Sequence, residues 1–261
     1  MTINRILHNF LDQNDISYGF FARNGGVSKS PFNSLNCSLN VNDQKKNIQE
    51  NLGLVCKELN LDKMIKLNQT HSSKVHIVTN SDDHKKFINA DGLVTNLKDI
   101  GLSILGADCA PILFYDKMSK TIGACHAGWR GAIDNIAEVT IASMESIGAT
   151  RKNIICIIGP TIQKNSYVIK EDVAKIIKKT PFYKKNNSIL LLISKGKYFF
   201  DVSLLLREII KNANIEKVGD ISIDTYQSSN LFFSHRRATH KQINSSPSTG
   251  RQISVIGLRK S

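Results

Sequence analysis

Apolar positions along the chain switch repeatedly between a three-to-four-residue and a two-residue period, which predicts a mixed α/β order of elements. Ile3, Ile6, Leu7, Phe10 and Leu11 predict a short opening helix, and Tyr18 to Arg23 a strand ending at the Gly25-Gly26 turn. Helical spacing returns at Ile48, Leu52, Val55, Cys56 and Leu59, and Lys74 to Thr79 alternates as a strand does. The middle of the chain is the most regular part. Leu102 to Leu105, Ile112 to Tyr115 and Thr121 to His126 predict three strands, the first two divided by the Asp108-Cys109-Ala110-Pro111 break. Beyond Gly131, the positions Ile133, Ile136, Ala137, Thr140, Ile141, Met144 and Ile147 predict a helix that Gly148 would stop. This strand, glycine turn and helix have the form of a crossover unit.

Further on, Ile154 to Ile158 predicts a buried strand, Val173 with Ile176 and Ile177 a helix, and Val202 to Ile210 another helix. Strands are predicted at Ile221 to Thr225 and Ile253 to Leu258, with an exposed, mobile loop over 238–250 between them. Nothing in the composition along the chain marks a linker, so residues 1–261 read as a single domain.

Composition narrows the class. A chain of 261 residues that is 41% hydrophobic can bury a sizeable core. Its longest apolar runs, Ile154 to Ile158 and Ile189 to Ile193, fall far below the roughly 18 residues of a membrane span. Residues 1–20 lack a secretory pattern, so a cytoplasmic protein with no membrane association is expected. The formal charge of +13 favours anionic partners, but the lysines fall in scattered pairs such as Lys45-Lys46 and Lys184-Lys185. No basic stripe with interleaved aromatics points to nucleic acid. Five cysteines without a Cys-x-x-Cys pair argue for reduced thiols rather than disulfides or a zinc knuckle.

The chemistry-bearing residues sit in three glycine-punctuated phrases: His71 in Asn68-Gln69-Thr70-His71, Cys109 in Gly106-Ala107-Asp108-Cys109, and His126 in His126-Ala127-Gly128-Trp129-Arg130-Gly131. Two imidazoles and a thiolate suit zinc with one position left open. Spacings of 38 and 17 residues are no compact signature, so the reading rests on local context. Asp91 and Asp108 are the candidates to orient a ligating imidazole. His76 and Cys125 read as structural residues, the latter turned away from His126 by strand alternation, and His235 and His240 flank the late loop. The same residues admit a Cys-His hydrolase or deamidase with Cys109 as nucleophile and His126 or His71 as base.

Further phrases carry a resemblance: Phe20-Phe21-Ala22-Arg23-Asn24-Gly25-Gly26-Val27-Ser28, Ala90-Asp91-Gly92-Leu93-Val94-Thr95, Ile158-Gly159-Pro160-Thr161-Ile162, Phe233-Ser234-His235-Arg236-Arg237 and Thr249-Gly250-Arg251. Together with the three phrases above, they run in family order through nearly the whole chain. The sequence resembles the laccase-domain family, labelled multicopper polyphenol oxidase-like and understood as purine nucleoside phosphorylases with accompanying adenosine deaminase activity. The resemblance implies two packed β-sheets flanked by helices. It also implies that His71, Cys109 and His126 hold a catalytic zinc, with copper as an alternative metal and weak phenol oxidation as its consequence. Seven histidines without a His-x-His pair do not suit a true multicopper oxidase. The implied substrates are purine nucleosides, S-methyl-5′-thioadenosine among them, and phosphate. Phosphorolysis calls for arginines that neutralise the anion, and Arg23, Arg130 and Arg236 are the candidates. The chain departs from the family pattern at Cys37-Ser38-Leu39-Asn40, at Tyr167-Val168-Ile169 and at Asp224-Thr225-Tyr226, all of which bear on substrate preference.

Overall fold

Several central strands are apolar on both faces, and this double-sidedness dictates the layering. In β-strand geometry successive side chains point to opposite sides, so Ile112 and Phe114 enter one hydrophobic cluster while Leu113 and Tyr115 enter another. A sheet buried on both faces needs a cover on each.

The computed structural model describes residues 3–241 and 248–259. Its first half comprises β1 (Arg5–Ile6), β2 (Ile16–Phe21), α1 (Lys45–Leu59), β3 (Lys63–Ile65), β4 (Val75–Ile77), β5 (Gly92–Thr95), β6 (Ile100–Gly106), β7 (Ala110–Asp116), β8 (Thr121–Ala127), α2 (Trp129–Ile133) and α3 (Ile136–Glu145). Then follow β9 (Ile154–Ile158), β10 (Val168–Lys170), α4 (Glu171–Lys178), α5 (Pro181–Lys185), β11 (Leu190–Ser194), β12 (Lys197–Phe200), α6 (Val202–Asn212), β13 (Lys217–Asp220), α7 (His235–Lys241) and β14 (Gln252–Leu258).

A five-stranded sheet in the order β1-β2-β14-β6-β3 packs on a six-stranded sheet in the order β13-β9-β7-β8-β5-β4. Their facing sides interdigitate Tyr18, Phe20, Leu102, Ile104 and Ile256 with Leu93, Leu113, Tyr115 and Ile157. The outer face of the six-stranded sheet is covered by α3 and α6 through Ile141, Met144, Leu206 and Ile210. α1 covers the outer face of the other sheet through Val55 and Leu59. The expected mixed α+β domain of two packed sheets with helices outside is the observed fold. A third, three-stranded sheet, β10-β12-β11, is an addition that the sequence pattern did not reveal. β8 and β9 both pair antiparallel with β7, so α2 and α3 connect two parallel strands, as a crossover unit does.

Four expectations change. The opening helix is replaced by β1, whose Arg5 and Ile6 pair with Phe21 and Phe20, followed by a short 3₁₀ turn at Asn9–Leu11. Pairing with β2 overrides the local period, and Leu7 and Phe10 stay exposed. The single helix beyond Gly131 is two, because Asn135 takes a left-handed conformation (φ 62°) between α2 and α3. Gly148 does stop the second, with φ at +107°, where a residue bearing Cβ would be strained. The strand expected at Ile221 to Thr225 lies earlier, at Lys217–Asp220, since left-handed Ser222 (φ 53°) ends its ladder with β9. The loop at 238–250 begins inside α7 and ends with Thr249 and Gly250 buried; its centre, 242–247, lies outside the described residues.

Candidate metal centre

Two of the three predicted ligands come from segments that pass between the sheets. His71 lies between β3 of one sheet and β4 of the other, and Cys109 between β6 and β7, where the chain again changes sheet. His126 is the penultimate residue of β8. One donor atom from each lies within 4.8 Å of the others, with Cys109 Sγ 3.9 Å from His71 Nε2, and no other such cluster of three occurs among the described residues. Tetrahedral zinc with sulfur and nitrogen ligands sets its donors roughly 3.5 Å apart. The site needs only a small contraction.

Backbone conformation serves this convergence. His71 (φ 59°) and Asp108 (φ 98°) both occupy the left-handed region that non-glycine residues avoid, so each turn must be held by contacts. Asp91 holds the first. Fully buried just before β5, its carboxylate accepts hydrogen bonds from six donors: the backbone N–H groups of Thr70, His71 and Ser72, the hydroxyls of Thr70 and Ser72, and His126 Nδ1 at 2.9 Å. One carboxylate therefore shapes the loop that carries His71 and orients the ring of His126, leaving Nε2 for the centre. Burial alone would raise the Asp91 pKa, but these donors, His126 foremost, hold it well below the usual carboxylate range.

Asp108 holds the second turn, not an imidazole as expected. Its carbonyl accepts from Thr161 Oγ1 and Ile162 N–H, and its carboxylate from Thr225 Oγ1 and the backbone N–H of Arg236. Cys109 is thereby tied both to the end of β9 and to the start of α7. Gly128 completes the cradle: a Cβ there would lie 2.8 Å from His71 Cδ2 and 3.2 Å from Cys109 Sγ. Burial would push the Cys109 thiol up, yet the neighbouring imidazoles, His126 first, bring it down to about 6. Burial would lower His126, but Cys109 and Asp91 push it up to about 9. A ready thiolate beside an imidazole steered by a carboxylate suits a divalent ion that prefers nitrogen and sulfur.

The residues read as structural behave so. Cys125 is fully buried in the cluster beneath α3, its thiol pushed up to about 12 by desolvation, and His76 pairs with buried Asp83 at 2.9 Å.

A chamber of about 340 Å³ opens over His71, Cys109 and His126, with Gln69, His235 and Arg251 among its walls. A smaller one of about 110 Å³ meets it at Cys109 and His235 and is walled by Trp129, Tyr167 and Arg236. Of the predicted arginines, Arg236 reaches the smaller chamber, with its guanidinium 5.2 Å from the Tyr167 ring and donating to the Val168 carbonyl. Arg130 lies over the Trp129 ring at 4.3 Å and lines neither chamber. Arg23 is not brought to the centre: its guanidinium sits over Phe233 and donates to the carbonyls of Asn33 and Ser229 beside a separate depression. His235 and Arg251 are wall residues that sequence reasoning missed. His235 was assigned to the margin of a loop, and Arg251 appeared only as the end of a phrase.

Residues 17–259 match the sequence model of the family described as multi-copper polyphenol oxidoreductase laccase. The chain is 30% identical over 258 residues to purine nucleoside phosphorylase YlmD of Bacillus subtilis, covering 94% of this chain and 90% of the relative. It is 33% identical over 178 residues to purine nucleoside phosphorylase RP494 of Rickettsia prowazekii, covering 68% and 72% of the two chains. Among solved structures, the hypothetical protein YfiH of Bacillus licheniformis superposes with a TM-score of 0.86 at 30% identity, over 95% of this chain and 98% of that one.

Proposed function

The chain belongs to the multi-copper polyphenol oxidoreductase laccase family, and from that premise we propose that it is a zinc-dependent purine nucleoside phosphorylase. It cleaves adenosine and inosine, with S-methyl-5′-thioadenosine as a further candidate, using phosphate to give the free base and ribose 1-phosphate, and it also deaminates adenosine. The reading rests on relatives named purine nucleoside phosphorylase and on one observation in this chain: the donor atoms of His71, Cys109 and His126 converge beneath a chamber that also carries an arginine. The absence of any membrane-length apolar helix among the described residues is compatible with the expected cytoplasmic setting.

His71, Cys109 and His126 would hold the ion, which when bound supplies Lewis acidity at an open coordination position. The remaining work belongs to the protein. Asp91 fixes the tautomer and direction of His126, and the Asp108 turn aims Cys109. In phosphorolysis a phosphate oxygen bonds to ribose C1′ while the bond from C1′ to the purine nitrogen breaks, its electron pair leaving with the base. The transition state is cation-like at the sugar and needs the dianion close by, held by fixed donors. Trp129 and Tyr167 offer aromatic faces beside the centre, with Arg236 at hand and Arg130 braced on the indole. Arg23 has no such place.

Thiolate and imidazole also bind copper, and a copper-loaded site would account for weak phenol oxidation. The test incubates zinc-loaded and chelator-stripped protein with adenosine, with and without phosphate, and resolves adenine, inosine and hypoxanthine by chromatography. Phosphate-dependent release of free base by the loaded protein alone supports the proposal. Metal-free turnover abolished by iodoacetamide would make Cys109 a nucleophile instead.

A further inference from the structure

Arg251 is a cation in need of a partner. Its Nη1 donates to the carbonyls of Thr249 and Gly250, at 2.9 and 3.1 Å, which leaves Nε and Nη2 without a protein acceptor among the described residues. No described carboxylate forms an ion pair with it: Asp108, whose charge acts on it, has both oxygens engaged by Thr225 and Arg236, and the sulfur of Cys109, which acts on it more strongly, would be committed to the metal centre. The residue is not loosely placed. Its backbone N–H donates to Asn36 Oδ1 and its carbonyl accepts from Cys37 N–H, so the base of the side chain is fixed where β14 begins. The guanidinium then faces a chamber whose described walls include no Asp or Glu. His235 stands on the same wall, with ring nitrogens that can hydrogen-bond to an anion held by Arg251. A part-buried guanidinium with no carboxylate paired to it favours an anion that comes to it, and its planar fork suits two oxygens at once.

We infer that Arg251, assisted by His235, forms the oxyanion subsite of the larger chamber and takes the inorganic phosphate that attacks the nucleoside, with the purine directed toward the aromatic walls of Trp129 and Tyr167. The inference rests on the phosphorylase reading for the role of the anion, whereas the subsite itself is defined by phosphate binding alone. Arg251 replaces Arg23 as the arginine on which phosphate dependence turns. It also assigns a division of labour: Arg251 governs the affinity for phosphate, and the metal ligands govern the chemical step.

Direct binding of inorganic phosphate to the zinc-loaded full-length protein is measured by calorimetry, alongside steady-state kinetics in phosphate and in inosine. Arg251→Gln should weaken phosphate binding and raise the KM for phosphate by about tenfold or more, because it removes charge-assisted hydrogen bonds. The KM for inosine should change much less than the KM for phosphate. Phosphate binding by Arg251→Gln equal to that of the parent protein overturns the inference. Should that variant fold poorly, the parent protein gives the answer through phenylglyoxal modification read by mass spectrometry: phosphate should protect the Arg251 peptide, and equal labelling with and without phosphate overturns the subsite. Protection of Arg251 in a protein that releases no base in a phosphate-dependent way would preserve the subsite while refuting the phosphorylase reading.

Discussion

Replacing Asp91 by Asn tests how one buried carboxylate builds the centre. An amide keeps one acceptor oxygen and places an NH₂ where the other stood. The less disruptive orientation retains the four bonds at Oδ2, from Thr70 and Ser72, and sets the NH₂ against His71 N–H and His126 Nδ1. Two bonds to a charged acceptor are then lost, at about 1.5–3 kcal/mol each, for a total of about 3–6 kcal/mol. A domain stable by only about 5–15 kcal/mol feels that strongly, and at about 2–4 °C per kcal/mol the Tm should fall on the order of 10 °C or more. The imidazole offers one escape. His126 can accept from the new NH₂ through Nδ1, but its proton then moves to Nε2, the nitrogen required by the ion. Zinc affinity should therefore fall by roughly 10- to 100-fold, in line with other orienting carboxylates. Thermal unfolding with chelator measures the first effect, and competition with a chromophoric zinc chelator the second. An Asp91→Asn protein with the Tm of the parent and undiminished zinc affinity would refute the reasoning.

Gly128→Ala inserts a methyl 2.8 Å from His71 Cδ2 and 3.2 Å from Cys109 Sγ, so zinc affinity measured by the same competition should drop while far-UV circular dichroism stays native. Chelator treatment should lower the Tm, and restored zinc at 100 times its Kd should return about 2.7 kcal/mol, with recovery abolished in Cys109→Ser. Lys86 and His76 hold the Asp83 carboxyl below its usual value of 3.8, so its stabilising contribution is present above that value and lost as pH falls through the lower folded one. Asp83→Asn should thus have a lower Tm than the parent at pH 7, and the gap should narrow in thermal scans between pH 5 and pH 3; a constant gap would contradict the pairing.

Where one period ran undisturbed, the chain was legible. Ile112 to Tyr115, Thr121 to His126 and Ile154 to Ile158 all lie in observed strands, since each is bounded by turn-forming residues and packs on both faces. Asn135 was not readable as a break, because the apolar spacing continues across it while its backbone turns left-handed. The ligand triad was proposed from phrase context and does converge, but the double duty of Asp91 depends on β5 and β8 lying side by side in the sheet. Arg251 was missed for a related reason. Its significance is that no carboxylate among the described residues pairs with it, and a missing contact leaves no mark in a string of residues.

The passage of the chain from one sheet to the other at both His71 and Cys109 would tie the proposed ion capture to assembly. A partly folded chain with only one sheet formed has no reason to bring these donors within reach of His126. If the centre holds zinc as proposed, its uptake should accordingly report the docking of the two halves of the sandwich, and the ion would act as a rivet across the seam between them.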